Sequence, residues 1–296
     1  MTPRLSENLE KFTAGFARAT IEKWEDIPPI LRDLRPDLTV IDCYELEERF
    51  ENLCLPYTRR LAVIDDLHNR RHNCHILIAG SLTATEDEYR PLVPPSAMLL
   101  TGGEYLLISS EFMKRRKETV STPFESCLIS FGGADPAHAT IYTVKSIIAS
   151  EYLKKFSYTI VTGAVNPDHA AIEDLLAASN VRYRLLKYSN RMPWLMQTHD
   201  FAIGACGGMG YERLCVGLPS INVIIADNQY SMRILCARHE IGPLFEVKDL
   251  KDIRRLEQGI KTLETNAEAI MKNGQQLIKG CGFDNIAAVF DKEIKG

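Results

Sequence analysis

The chain has 296 residues, 45% of them hydrophobic and 25% charged, which are the proportions of a globular protein with one large domain or two ordinary ones. Its formal net charge of -4 lacks the basic excess of nucleic-acid-binding surfaces, so no nucleic-acid partner is expected. No apolar stretch approaches the roughly 20 residues of a membrane span, and the start resembles no signal peptide. The eight cysteines lie mostly in apolar runs, which is typical of free thiols. These features predict a cytoplasmic protein.

Short strand-like runs alternate with longer amphipathic stretches, a pattern that predicts an α/β protein. In the first half, the runs 38–42, 60–65 and 75–79 are predicted strands. The first two end in acidic residues, so carboxylates are expected at the edge of the sheet where open α/β proteins bind ligands. Residues 1–37 are predicted to be helical. A complete doubly wound domain would begin with a strand and a Gly-rich loop instead.

Residues 114–123 are polar and end in a proline, which predicts a helix end followed by an interdomain linker. A second α/β series follows, and its tail, 249–292, is predicted to be helical with no further strand. We therefore predict two Rossmann-like domains, 1–120 and 121–296, of which the first is incomplete. The predicted strands of the second lie near 126–131, 157–162, 182–186, 200–204 and 219–225, and the predicted helices near 138–150, 168–178, 208–217 and 229–239.

The segment from Gly204 to Arg213 leaves a predicted strand and opens a helix. Small residues there let the backbone approach a ligand closely, and the unpaired N–H groups of a first helical turn favour a phosphate. Glu212, one turn into the helix, is placed to accept hydrogen bonds from a ribose. A tight strand-to-helix turn with a surface glutamate explains the same residues equally well, so both interpretations stay open.

Two further loops join a predicted strand to a predicted helix. In the first, Gly132 and Gly133 suggest close approach of the backbone to a ligand, whereas Asp135 is also explained as a helix N-cap. In the second, Asn228 and Gln229 offer amide groups suited to sugar hydroxyls. Helix capping explains this second pair equally well.

In order and spacing, these loops resemble those of the UDP-sugar hydrolases of pseudaminic acid biosynthesis and the related spore-coat polysaccharide family. More distantly, they resemble those of the lipid-linked N-acetylglucosaminyltransferase of peptidoglycan assembly. The resemblance extends from about residue 36 to about residue 240. The segments that carry it are Val40–Tyr44, Ile64–Arg70, Tyr89 with Pro91–Pro94, Tyr105–Ile108, Phe131–Pro136, Gly204–Arg213, Gly217–Ser220 and Ala226–Gln229.

The resemblance implies a GT-B architecture, in which two Rossmann-like domains hold a UDP-sugar in the cleft between them. It places the diphosphate on the glycine-rich helix start, the ribose on Glu212 and the uracil next to Met192. Asn228 and Gln229 would face the sugar or its phosphates, and Tyr44 would reach the cleft as a catalytic positioning group. The residues expected to bind substrate are Gly132, Gly133, Asp135, Met192, Gly207, Gly208, Met209, Gly210, Glu212, Asn228 and Gln229.

Family members begin with a strand and a Gly-x-Gly-His loop, whose histidine is thought to assist attack on the sugar–phosphate bond. This sequence contains no Gly-x-Gly-His, and residues 1–37 align with the middle of the family's first domain. The chain is therefore expected to be either a truncated product or a divergent member that works differently. Candidate substitutes for the histidine are Tyr44, Asp65, Asp66 and His68, among which we prefer Tyr44 because it directly follows its strand.

The predicted function is hydrolysis of a UDP-diacetamido-trideoxy sugar with release of UDP. A GT-B glycosyltransferase that uses the same cleft and an inactive UDP-sugar-binding homologue remain alternatives. The densest group of potential metal ligands has a spacing that matches no standard paired zinc pattern, so neither a metal nor another cofactor is expected. That group comprises His68, His72, Cys74 and His75.

Overall fold

Two parallel β-sheets form the framework of the protein. A computed structural model describes residues 23–295. The first sheet has four strands in chain order, and the second has six in the order 10-9-8-5-6-7. The strands are β1 (Leu38–Ile41), β2 (Arg60–Ile64), β3 (Ile76–Ala79), β4 (Met98–Thr101), β5 (Ser126–Ser130), β6 (Ser157–Val161), β7 (Arg182–Leu186), β8 (Phe201–Ala205), β9 (Ser220–Ile224) and β10 (Leu244–Glu246).

Helices cover the faces of both sheets. Within residues 23–295, no helix combines the length and apolar character required to cross a bilayer. The α-helices are α1 (Ile27–Leu34), α2 (Glu48–Cys54), α3 (Glu86–Tyr89), α4 (Ser110–Met113), α5 (Ala139–Ala149), α6 (His169–Ala177), α7 (Met192–Thr198), α8 (Gly208–Val216), α9 (Tyr230–His239), α10 (Ile253–Leu277) and α11 (Gly282–Lys295). Short 3-10 turns occupy Trp24–Asp26, Leu55–Tyr57, Arg90–Leu92, Gly103–Tyr105, Leu153–Lys155, Asp227–Gln229 and Val247–Lys251.

The four-stranded sheet is buried on both faces, as expected for parallel strands covered by helices. On one face, Leu61, Val63 and Leu77 belong to a core cluster that also contains residues of α1 and α2. On the other face, Ala62, Ile76 and Ile78 belong to a smaller cluster with Ile286 of α11. Successive residues of β2 and β3 therefore contact opposite faces, which explains why residues 61–64 and 76–79 are all apolar.

The six-stranded sheet has β5 at its centre, between β8 and β6. The register of the pair of β5 with β6 runs from Ser126 opposite Ser157 to Ser130 opposite Val161. Because all the pairs are parallel, the carboxyl ends of these strands lie at one edge. The loops with the predicted site residues leave the strands at that edge.

The last helix returns to the first sheet. In addition to the contacts of Ile286, Nε of Arg60 on β2 donates to Oε2 of Glu293 at 3.0 Å. Residues 282–295 therefore pack on the four-stranded sheet, although the sequence groups them with residues 121–296. The boundary at residue 120 itself stays a prediction.

The predicted strands and helices of the second half lie within one or two residues of the observed ones. Sequence analysis did not predict the strands β4 and β10, which have four and three residues. Both are edge strands, and so short a run shows no clear alternation of apolar and polar residues. Of the predicted helical start 1–37, residues 1–22 lie outside the described part, and α1 lies within the remainder.

Candidate functional site

A cleft of about 320 Å3 separates the carboxyl edges of the two sheets. From the first domain, the residues after β1, β2 and β3 contribute Tyr44, Asp66 and Ser81. From the second, Gly207 and Gly208 line the opposite wall at the start of α8. The structure thus brings the acidic strand ends of one domain to face the glycine-rich helix start of the other.

The start of α8 is an open helix N-terminus. Gly207 is its N-cap residue, and no side chain caps the helix within the described residues. A Cβ added at Gly208 would meet nothing within 4 Å. The first N–H groups of a helix carry the positive end of its dipole, so this wall of the cleft favours an anion.

The other two glycines of this loop serve packing instead. A Cβ at Gly204 would lie 2.7 Å from Nη1 of Arg213, and one at Gly210 would lie 2.8 Å from the terminal methyl of Met232 on α9. Both positions are therefore filled by protein atoms, and Gly210 does not line the cleft. Only the middle of the glycine run, at Gly207 and Gly208, has the access to the cleft that sequence analysis attributed to the whole run.

Arg213 is a buried guanidinium that sequence analysis did not single out, with an exposed fraction of only 2%. Its Nη2 donates to the carbonyl oxygens of Gly204 and Ala205 at 3.2 and 2.8 Å, and to Oδ1 of Asn222 at 3.2 Å. These bonds tie α8 to the ends of β8 and β9. They hold the helix start in place beside the cleft.

Glu212 lies one turn into α8 and is mostly buried. Within residues 23–295, its carboxylate has no hydrogen-bond partner. Burial raises the pKa of Glu212 to about 7, and the neighbouring positive charge of Arg213 opposes this only in part. No donor of the described protein meets this carboxylate, its oxygens keep some access to solvent, and Glu212 is not among the residues that line either chamber.

Gln229 and Asn228 lie on the same wall as the helix start. Oε1 of Gln229 accepts a hydrogen bond from the backbone N–H of Ile225 at 2.9 Å. Its amide nitrogen then points towards Gly207, 3.6 Å from where a Cβ would be. Asn228 is exposed. The pair thus adds amide groups beside the N-terminus of α8, and Gln229 also has a structural role.

The remaining predicted binding residues do not line the cleft. Gly132 and Gly133 follow β5 and have open space around them. Asp135 is buried. Its two carboxylate oxygens accept hydrogen bonds from the backbone N–H groups of Ala139 and Thr140 at 3.0 and 2.8 Å. Its carboxylate thus binds the first turn of α5, although the N-cap residue of that helix is His138 and not Asp135, and it is not available to a ligand in this conformation.

The two predicted methionines also pack inside the second domain. Met192 begins α7 and packs against its core. The sulfur of Met209 accepts from Oγ of Ser130 at 3.7 Å, so its side chain turns towards β5 and away from the cleft. Its backbone remains part of the first turn of α8.

Tyr44 reaches the cleft from the first domain, with 49% of its surface exposed. Its hydroxyl donates to Oδ2 of Asp66 at 3.0 Å. Partial burial and the charge of Asp66 raise the pKa of Tyr44 to about 12. The hydroxyl is thus a hydrogen-bond donor at neutral pH, which agrees better with a positioning group than with a base.

Asp65 and Asp66 face opposite ways. Asp65 is fully buried, and its Oδ1 forms an ion pair with Arg70, whose Nη1 lies 2.8 Å away. Although burial opposes it, the nearby His72 ring, the hydrogen bond from the His68 backbone and the charge of Arg70 lower the pKa of Asp65. Asp65 is therefore an ionised structural group, while Asp66 lies in the cleft.

A buried network continues from Asp65 into the first domain. Nδ1 of His72 is 2.6 Å from Oε1 of Glu51, and Nε2 is 3.7 Å from Oδ1 of Asp65. Burial opposes protonation, but the nearby carboxylates of Asp65 and Glu51, the second of them hydrogen-bonded to Nδ1, raise the pKa of His72 to about 9. The network fastens the loop after β2 to α2.

The four histidines and cysteines weighed as metal ligands do not converge. Nδ1 of His75 accepts from the backbone N–H of Leu61 at 3.0 Å, and His72 is held by the carboxylates. Among the residues that the structure describes, no three His, Cys, Asp or Glu side chains form a metal-binding group.

Three hydroxyls that sequence analysis missed join the two walls. The hydroxyl of Tyr211 on α8 lies 2.7 Å from Oγ of Ser231 and 3.3 Å from Oγ of Ser81. The position of Ser81, two residues after β3, could have indicated it because carboxyl ends of strands build such sites. Tyr211 carried no such signal, since the face of α8 that meets the first domain depends on the tertiary structure.

A second chamber of about 470 Å3 adjoins the first. Asp66, Ser81, Asn228 and Ser231 border both chambers. The second chamber has carboxylates and hydroxyls in its walls but no lysine or arginine. Its remaining lining residues are Leu67, His68, Thr83, Ala84, Glu88, Tyr89, Asp227, Tyr230 and Ile234.

No protein-family model matches the chain. It is similar to an uncharacterized protein of Methanocaldococcus jannaschii, with 22% identity over 215 residues that cover 70% of this chain and 44% of that protein. It is also similar to the spore coat polysaccharide biosynthesis protein SpsG of Bacillus subtilis, with 24% identity over 141 residues, or 47% of this chain and 41% of that protein. The chain thus spans less than half the length of these relatives.

Solved structures define the class of the fold. The glycosyltransferase of Rickettsia africae matches with a TM-score of 0.62 at 9% identity, over 100% of this chain and 89% of that one. UDP-GlcNAc 2-epimerase from Neisseria meningitidis, solved with UDP-GlcNAc bound, matches with a TM-score of 0.57 at 14% identity, over 90% of this chain and 80% of that one. The chain has the GT-B glycosyltransferase fold, as the sequence predicted, and the spore-coat protein is a distant relative.

Proposed function

We propose that this protein binds a UDP-sugar in the cleft and hydrolyses the sugar–phosphate bond, releasing UDP. The observation that carries the proposal is the uncapped N-terminus of α8 at Gly207 and Gly208, which faces Tyr44 and Asp66 across the cleft. One wall favours an anionic leaving group, and the other offers groups that orient or deprotonate an attacking water.

The nucleotide would lie along α8. Its diphosphate would accept hydrogen bonds from the first N–H groups of the helix and from the amide of Gln229. Its ribose would donate to Glu212, whose carboxylate has no partner within residues 23–295. Two hydroxyls of a ribose supply the donors that this buried group needs, and they would lower its pKa.

The comparisons support the same class of ligand. The epimerase from Neisseria meningitidis was solved with UDP-GlcNAc bound, and the relative from Bacillus subtilis is named for spore coat polysaccharide biosynthesis. By its resemblance to the pseudaminic acid enzymes, we infer a UDP-diacetamido-trideoxy sugar as the particular substrate.

Glycosyl transfer is the second candidate function, and the second chamber favours it. That space, about 470 Å3, adjoins the first chamber at Asp66 and Asn228, where a sugar acceptor would meet the anomeric carbon. In that case, an acceptor hydroxyl would take the place of water. The third candidate function is binding of a UDP-sugar without catalysis.

The test is UDP release from UDP-GlcNAc and from a UDP-diacetamido-trideoxy sugar, with calorimetric titration of UDP in parallel. For the hydrolase, we expect release that needs no acceptor. Release only in the presence of an added sugar acceptor would identify a transferase. Binding of UDP without release under either condition would refute enzymatic activity, and absence of UDP binding would refute the site itself.

A further inference from the structure

Among the described residues, Asp66 is the one carboxylate that lines both chambers. It lies at the carboxyl end of β2 and borders both chambers. Its side chain is exposed to the cleft, so a water or a substrate hydroxyl reaches it. Asn228, on the opposite wall, also borders both chambers. The scissile bond of a nucleotide sugar whose diphosphate rests on α8 would therefore lie near Asp66.

The buried network behind Asp66 sets its direction. Asp65 is anchored by Arg70 and by the backbone N–H groups of Leu67 and His68, at 3.2 and 2.8 Å to its Oδ2. In addition, the hydroxyl of Tyr89 donates to the backbone oxygen of Asp65 at 3.1 Å. With the backbone held on this side, the neighbouring carboxylate projects into the cleft.

Tyr44 then orients Asp66. Within residues 23–295, the only side chain that hydrogen-bonds the carboxylate of Asp66 is Tyr44, through Oδ2 at 3.0 Å. Neither a lysine nor an arginine neutralises it among the lining residues of either chamber. One carboxylate oxygen is thus held by a neutral donor, and the other remains able to accept a proton.

We propose that Asp66 is the catalytic base of this site and that Tyr44 is its positioning residue. The assignment rests on the proposed hydrolase function and gives the chain a base without a Gly-x-Gly-His histidine. Tyr44 keeps the positioning role that sequence analysis gave it, and Asp66, one of the other candidate substitutes for the histidine, becomes the base.

The proposed step is hydrolysis of the bond between the sugar and the β-phosphate. The Asp66 carboxylate takes one proton from a water molecule while the water oxygen bonds to the anomeric carbon. The bond between that carbon and the β-phosphate oxygen breaks, and its electron pair leaves with UDP at the N-terminus of α8. The products are UDP and the free sugar, and the proton passes from Asp66 to solvent.

The surroundings of Asp66 strengthen it as a proton acceptor. The cleft walls remove part of its hydration, which raises the pKa of Asp66, and the charges of Asp65 and Asp42 raise it further. The hydrogen bond from Tyr44 lowers it. The other titratable groups that line the two chambers are His68, Glu88, Tyr89, Cys206, Tyr211, Asp227 and Tyr230.

The test compares Asp66→Asn and Tyr44→Phe with the whole wild-type chain. We expect Asp66→Asn to lower the rate of UDP release by about 10²–10⁴-fold, the usual contribution of a general base. Its dissociation constant for UDP should equal or fall below that of wild type, because a negative charge near the diphosphate is removed. Asp87→Asn is the matched control, since Asp87 is an exposed carboxylate on α3 that lines neither chamber.

The Tyr44→Phe variant separates positioning from catalysis. Loss of its hydrogen bond should raise the pKa of Asp66, so the acidic limb of the pH–rate profile should move to higher pH while a reduced rate remains. An unmoved limb would refute the positioning role.

Three outcomes separate the two proposals. If wild type releases UDP and Asp66→Asn does so equally fast, the base is elsewhere and the hydrolase function stands. If Asp66→Asn is slow and still binds UDP, both stand. If wild type binds UDP but releases none from its sugars, the hydrolase function and the role of Asp66 are both refuted.

Discussion

Glu212 gives the sharpest prediction, because its burial affects stability and ligand binding in opposite directions. Its pKa rises from 4.5 in the unfolded chain to about 7 in the folded protein. A shift of about 2.5 pH units corresponds to about 3.5 kcal/mol at most, since each unit is worth about 1.4 kcal/mol. That is a large share of the roughly 5–15 kcal/mol that stabilises a domain.

The sign follows from proton binding. The folded protein binds the proton of Glu212 more tightly than the unfolded chain, so folding is favoured below about pH 4.5. This contribution is lost as pH rises from there through about 7. Glu212→Gln cannot ionise, so we expect it to be more stable than wild type by up to about 3 kcal/mol at pH 8 and nearly equal to it at pH 4.

Binding should change the other way. If the carboxylate accepts the ribose hydroxyls, Glu212→Gln should lose about 1.5–3 kcal/mol of UDP affinity at pH 8, as for other hydrogen bonds to charged groups. Urea denaturation at both pH values and calorimetric titration of UDP measure the two effects. Glu173→Gln, on the exposed side of α6, is the control. A Glu212→Gln variant with wild-type stability at pH 8 would refute the burial argument, and one with wild-type UDP affinity would refute the ribose contact.

Two more predictions concern the loop glycines and the buried network. Gly208→Ala should leave the midpoint of thermal unfolding within a few degrees of wild type but weaken UDP binding, whereas Gly204→Ala should cost about 1–3 kcal/mol of stability because its Cβ would overlap Arg213; equal unfolding midpoints for both would contradict this distinction. His72→Gln should cost about 3–5 kcal/mol near pH 6 because Glu51 loses its buried partner. Since the pKa of His72 is raised to about 9, urea denaturation should show this difference shrinking as pH rises through that value, and a constant difference would refute it.

Sequence analysis located cleft-lining residues where their position depends on the ends of strands. Tyr44, Gly207, Gly208, Asn228 and Gln229 all follow predicted strands, and all line the cleft. The reason is local, because in a parallel sheet every carboxyl end reaches the same edge. Whether they bind a nucleotide sugar remains for the experiments above.

Prediction was weaker where the role of a residue depends on what packs against it. Gly204 and Gly210 looked like ligand-contacting glycines, but protein atoms fill the space beside them. Asp135 offers the same choice between capping and binding in the sequence, and its bonds to the start of α5 decide against ligand binding. The space beside Gly210 is filled by Met232, which is distant in sequence, so the residues around Gly210 could not predict this contact.

By itself, the sequence determined the α/β class, the positions of the longer strands and helices, and the loops at the carboxyl edges. These follow from the period of apolar residues and from glycine and proline, which act within a few residues. Only the tertiary structure decided that Asp65 turns inward and Asp66 into the cleft, that Tyr211 joins the two walls, and that α11 returns to the first sheet. Those choices depend on contacts between distant parts of the chain, which burial and charge pairing select only once the whole protein has folded.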